Sequence, residues 1–232
     1  MSELNLNYTD NEFIDEVLKR SGKKEDDFVK PLFEDKHFMM LSLCHLWDDT
    51  YEVIERISDK LWDDIDFCVS VFSYICDDPD YYMNKIPEKH FNNLWFVSTL
   101  VSSKTEILEY IPNKYLNNSF IFNEALLSMD VEDRYDWKCN EFMYIVDKIP
   151  ELVWEDVSFV YDLITYSFEI HFDDRFTEFL DYIPSKYWKD EDFIIHVCNN
   201  ISYYEFKFIV NKIDTSLKKD KIFMDYLYKE FQ

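Results

Sequence analysis

The residues of this chain equipped for chemistry are His37, His45, His90, His171 and His196, Cys44, Cys68, Cys76, Cys139 and Cys198, and several adjacent carboxylate pairs. Asp63-Asp64, Asp77-Asp78 and Asp173-Asp174 have the composition for general acid–base work or for a divalent cation. His196-x-Cys198 and His171-x-Asp173-Asp174 contain ligand types for a transition metal. Spacing argues against each. There is no His-Glu-x-x-His and no Cys-x-x-Cys, and His196 and Cys198 fall in one expected helix, where residues two apart diverge by about 200°. Most of the carboxylate pairs coincide with helix starts, where acids interact favourably with the helix dipole. The single glycine, Gly22, cannot build a phosphate-cradling loop, and no Gly-x-Ser-x-Gly elbow is present. The expectation is a protein with no catalytic residues, no metal and no cofactor. An enzyme whose site assembles from scattered His, Cys and carboxylates is the third-ranked alternative.

The elements that would position any site come from an internal repeat. Blocks begin at residues 28, 57, 86, 111, 149, 183 and 213, four of them with Ile-Pro: Ile86-Pro87, Ile111-Pro112, Ile149-Pro150 and Ile183-Pro184. The eighth position of every block is Asp or Asn: Asp35, Asp64, Asn93, Asn118, Asp156, Asp190 and Asp220. These are the side chains that cap helix N-termini. A large apolar residue follows three positions on, from Phe38 and Phe67 to Phe193 and Phe223, and in most blocks another stands four further along, the buried stripe of one helix. Ahead of six blocks lie apolar pairs such as Ile107-Leu108 and Phe179-Leu180, marking a preceding helix that the Ile-Pro step terminates.

The fold class is therefore all-α, with tandem two-helix repeats stacked as an α-solenoid, because a pair of short helices cannot bury its apolar face alone. The expected organisation is one domain over residues 1–232: a helical cap over 1–27, repeats over 28–217 and a capping helix over 218–232. The blocks resemble the tandem helical repeats of a "domain of unknown function" class of bacteria and large viruses, whose units read roughly apolar-Pro-Glu-x-Leu-x-Asn-Asp-x-x-Phe-Val. That resemblance implies a helical repeat, with no established activity and no functional residues to carry over.

Charge bounds the partners. The chain carries 48 acids against 24 bases, a net −24, and an AT-rich coding bias, which explains the bulky residues and twenty Lys to four Arg, favours Lys codons as readily as acidic ones. Nucleic acid and anionic membranes need clustered cations, so neither is an expected partner; a basic protein surface is. The N-terminal residues 1–13 lack a basic segment followed by an apolar one, and no apolar run is long enough to span a bilayer, which together give a cytoplasmic expectation. Five widely spaced cysteines fit reduced thiols rather than a disulfide framework.

Acidity peaks in residues 121–180, with 15 acids against 4 bases. Two enlargements interrupt the repeat in that stretch, at 129–137 and around 171–175. In repeat proteins such insertions map to loops on one face, often the binding face. Glu132, Asp133, Asp136, Asp173 and Asp174 are accordingly the expected charged contacts, and Tyr135 and Trp137 the apolar anchors, for an Arg- and Lys-rich partner. The expected function is a non-enzymatic acidic binding protein that inhibits a basic nucleic-acid-handling protein by nucleic-acid mimicry, of the anti-defence (anti-CRISPR) or toxin-immunity type. The alternative is a scaffolding repeat protein whose acidity serves solubility.

Overall fold

The computed structural model describes residues 30–45, 50–73, 79–129, 137–169, 175–201 and 203–230. Every regular element among them is helical, with no strand. The chain divides into two compact units, Met1–Ser103 and Lys104–Gln232. The first contains α1 (Lys36–His45), α2 (Thr50–Ile54), α3 (Asp59–Trp62), α4 (Ile65–Phe72), α5 (Pro79–Met83) and α6 (Leu94–Ser103). The second contains α7 (Asn113–Leu116), α8 (Ser119–Ser128), α9 (Trp137–Lys148), α10 (Val157–Glu169), α11 (Phe176–Tyr182), α12 (Glu191–Asn199), α13 (Tyr203–Lys212) and α14 (Lys221–Glu230). A 3₁₀ turn at Lys30–Glu34 precedes α1, and others at Glu88–Asn92, Thr105–Glu109, Val153–Glu155, Tyr187–Lys189 and Leu217–Lys219 lie between the helices. The expected N-terminal cap over 1–27 falls outside the described residues.

Each block folds for reasons written in its residues. Pro87 and Pro112 hold φ at −58° and −56° with extended ψ, ending the preceding helical segment. The proline carbonyl then accepts the N–H three residues on, as in Pro87 to His90 (3.0 Å) and Pro184 to Tyr187 (3.0 Å), closing a short turn that sequence periodicity did not separate from the linker. The N–H of the eighth residue closes the next such bond in all seven blocks, from Asp35 to Leu32 (3.1 Å) through Asp220 to Leu217 (2.9 Å). That residue is extended, with φ/ψ of −101°/116° at Asp190, so its side chain turns back onto the helix it opens. Asp190 Oδ1 accepts the Phe193 N–H at 3.1 Å, Asp35, Asp64, Asn93, Asp156 and Asp220 accept the N–H three residues on in the same way, and Asn118 accepts the Phe120 N–H two residues on.

The stripe that these caps start is the core. Phe38, Phe67, Phe96, Ile121, Phe159, Phe193 and Phe223 are all buried, as are Val71, Leu100, Leu163, Val197 and Leu227. The preceding apolar pairs join them: Val53-Ile54, Tyr82-Met83, Ile107-Leu108, Ile145-Val146, Phe179-Leu180 and, at the last, Ile209. Each such side chain contributes roughly 1.5–3 kcal/mol on leaving water. Aromatic edge contacts add to this core, with Phe142 and Phe179 at 5.2 Å and Trp188 and Phe193 at 5.5 Å between ring centroids. Trp62, Trp154 and Trp188, in the sixth position of their blocks, are buried and belong to this core.

Candidate functional site

The expected contact residues Glu132, Asp133, Tyr135, Asp136, Asp173 and Asp174 lie outside the described residues, as does the Trp137 side chain; the Trp137 backbone opens α9. The described chain leading into the first enlargement is fixed: Met129 is buried, and its carbonyl accepts the Tyr166 hydroxyl at 3.1 Å. On leaving the second, the Arg175 carbonyl accepts the Phe179 N–H at 3.0 Å and starts α11.

The residues with catalytic or metal-binding chemistry do not converge where they are described. His90 is buried, and its Nε2 lies 2.9 Å from the Trp62 carbonyl, a structural contact that leaves no open ligand position on that nitrogen. His196 is exposed against the Tyr161 ring at 4.1 Å between centroids, whereas Cys198 faces the core. Burial pushes the Cys198 thiol up to about 12 and does the same at Cys68, which also feels the Asp64 charge. Among the described residues no group of three or more His, Cys, Asp or Glu is placed to hold a metal.

Carboxylates at the block junctions are instead engaged by the neighbouring block. The lysine at the fourth position of one block reaches the acid at the seventh position of the block before it: Lys60 to Glu34 (3.7 Å), Lys89 to Asp63, and Lys186 to Glu155. A second series joins the residue just before a block to the acid two places before the previous one: Lys85 to Glu55 (2.9 Å), Lys148 to Glu109 (3.0 Å), Tyr182 to Asp147, and Lys212 to Asp181. Hydrogen bonds from these partners hold Asp63 and Glu109 below the usual carboxylate range; at Glu55 the Tyr81 hydroxyl contributes most, ahead of Lys85. The pairs are largely solvent-exposed and each adds little stability.

At three junctions the preceding seventh position is not an acid but Asn92, Asn117 or Lys189, and at one of these the fourth position is apolar as well. At the fourth position Lys60, Lys89, Lys114 and Lys186 give way in the block starting at 149 to Leu152, which is 62% exposed. Its counterpart at the seventh position of the preceding block is Asn117 rather than an acid. The same junction brings the starts of α8 and α10 together, the Ser119 hydroxyl donating to Asp156 Oδ2 at 2.7 Å and holding that carboxyl below its usual range. One residue further along each helix stand Phe120, 43% exposed, and Val157, 46% exposed. Two residues further along each helix, on its core side, Phe122 and Phe159 are buried with ring centroids 6.3 Å apart. The first unit has its own exposed apolar pair at a helix start, Leu94 and Trp95.

Comparison with protein-family models, with curated proteins and with solved structures found no match. The resemblance to the helical repeats of the "domain of unknown function" class rests on the block residues alone.

Leu152, Phe120 and Val157 were not among the residues picked out from the sequence, yet a signal was there. Among the five internal blocks Leu152 is the one fourth-position residue that is not lysine. Phe120 and Val157 carry no comparable mark, since the two positions after the cap vary from block to block between charged, polar and apolar residues.

Proposed function

We propose that this chain is a non-enzymatic acidic binding protein, an α-solenoid of tandem two-helix repeats that docks on and blocks the basic surface of a nucleic-acid-handling protein. The observation that carries the reading is the surplus of 48 acids over 24 bases, concentrated as 15 against 4 in residues 121–180. The recurrence of one cap, one turn and one set of inter-block contacts along the chain supports a stacked repeat. The use of lysine supports an acidic face. Lys36, Lys60, Lys85, Lys89, Lys148, Lys186 and Lys212 pair with acids of a neighbouring block, which leaves 41 acids against 17 bases outside these pairs. Carboxylates on such a surface occupy the place that phosphates take in a cationic groove, and long-range attraction steers the encounter.

Capture from the native host with the tagged full chain, followed by association rates across a salt series, tests this. A basic partner whose association slows steeply with salt is the expected result. A partner bound with no dependence on ionic strength favours the scaffolding reading, in which the charge maintains solubility.

A further inference from the structure

We propose that Phe120, Leu152 and Val157 form a docking site for a basic amphipathic segment of a partner protein, with the neighbouring carboxylates receiving its Lys and Arg side chains. The inference rests on the reading of this chain as an acidic binder and adds where an apolar anchor sits and what it takes. Leu152 carries the argument. Its position is filled by lysine in four other blocks, and three of those lysines reach an acid of the preceding block, so the fold tolerates and uses a cation there. At 62% exposure the leucine is not part of the core, and core packing does not account for it.

The Ser119–Asp156 hydrogen bond ties the two helix starts together, so that Phe120 and Val157 present further apolar surface on adjoining helices. On the core side of the same helices Phe122 and Phe159 pack with ring centroids 6.3 Å apart and hold α8 against α10, which limits the reordering that an incoming segment requires.

Charge complementarity selects the occupant. Glu124 on α8, Asp162 on α10 and Glu151 beside Leu152 supply the carboxylates, with Glu155 already paired to Lys186 and Asp156 bonded to Ser119, against Lys114 on α7. A purely cationic ligand has no use for the exposed leucine, and a neutral apolar one has none for the carboxylates. An amphipathic helix with Lys or Arg flanking an apolar stripe satisfies both, in the manner of helix-in-groove recognition.

The test uses the full-length chain and two labelled synthetic peptides of equal charge, one with Leu at helical i, i+3, i+4 and i+7 spacing among lysines, the other with every Leu replaced by Ser. Anisotropy should show the Leu peptide bound more tightly. Leu152→Gln and Phe120→Asn should each weaken it by at least about tenfold while leaving the Ser peptide unchanged. Leu152→Lys, which installs the residue of four other blocks, should weaken the Leu peptide with an unaltered thermal midpoint and so keep the test valid if another variant misfolds. Salt-sensitive binding of both peptides that none of these substitutions alters overturns the docking site while leaving the acidic-surface reading intact. Failure of the Leu peptide to bind also overturns it, and the salt series on the captured partner then judges the broader reading separately. A concentration-dependent dimer dissolved by Leu152→Gln makes a second copy the occupant and equally overturns the proposal.

Discussion

The Tyr187 hydroxyl donates to the Trp154 carbonyl at 2.7 Å across successive blocks, and His90 Nε2 makes the equivalent contact with the Trp62 carbonyl at 2.9 Å. Both donors stand three residues after a proline, Pro184 or Pro87, which has no N–H to give. Where the second block position keeps its N–H, that group fills the same carbonyl directly: Ser58 to Phe33 at 3.3 Å and Asp214 to Trp188 at 2.8 Å. In those two blocks the fifth residue is leucine, Leu61 or Leu217. At these two junctions the side chain thus supplies the donor that the proline removes, whereas Val153, the fifth residue of the Pro150 block, has none to give.

Tyr187→Leu is expected to cost more than lost packing, because the Trp154 carbonyl is left unsatisfied, a penalty of about 1–3 kcal/mol. Adding Pro184→Ser recreates the Ser58/Leu61 arrangement and should recover part of the loss. Urea unfolding of both singles and the double measures this; a favourable coupling of at least about 0.5 kcal/mol is expected, and strict additivity would show that the two donors are not interchangeable.

Asp190→Ala removes a side chain that accepts the Phe193 N–H at 3.1 Å, and should destabilise by about 1 kcal/mol. Asp190→Asn should cost far less, since Asn93 and Asn118 serve as the same cap in their own blocks. Equal loss from both substitutions, read by urea denaturation, would assign the effect to charge rather than to the cap.

The Lys148 bond holds Glu109 below the usual carboxylate range, so the unfolded chain binds its proton first as pH falls. Its contribution is fully present above the unfolded value and is lost as pH drops through the folded one. The stability difference between wild type and Lys148→Met should therefore be constant near neutrality and shrink below about pH 4. Comparing the two proteins removes the general relief of repulsion that protonation brings to a chain of net charge −24. A difference that stays constant through this window would mean that the pair does not form in solution.

The thiols divide by burial. Cys68 and Cys198 are buried and pushed up to about 12, whereas Cys44 is exposed. Alkylation of the native protein at neutral pH, read site by site by mass spectrometry, should label Cys44 well before Cys68 or Cys198. Comparable rates at all three would contradict the packing of α4 and α12.

Much of the fold was legible because the blocks repeat one physical solution. A cap three residues before a buried Phe or Ile fixes each helix start, and the all-helical content follows from Asp35 through Asp220. The short helical turn inside each block, 3₁₀ in five and α in the blocks starting at 57 and 111, was not legible, since three to five residues hold too little periodicity to distinguish a turn from a linker. The inter-block pairs escaped as well: a lysine such as Lys89 and its acid Asp63 are 26 residues apart, and only the folded chain shows that they meet. Of the expected contact residues only the backbone of Trp137 is described, and their role as a contact surface is a proposal resting on charge and loop length. The exposed Leu152 was marked in the sequence by the lysine it replaces, a signal that becomes interpretable once the Lys60–Glu34 and Lys186–Glu155 pairs are seen.

The central claim is that the acidic stretch 121–180 forms the contact surface, and the most direct measurement is the rate of association and dissociation of the captured partner with variants of that stretch. Asp133→Lys combined with Asp136→Lys should slow association and flatten its salt dependence, while Trp137→Ala should mainly speed dissociation, all with unchanged helical content. Association and dissociation rates identical to wild type in every variant, at low and high salt alike, would contradict the claim.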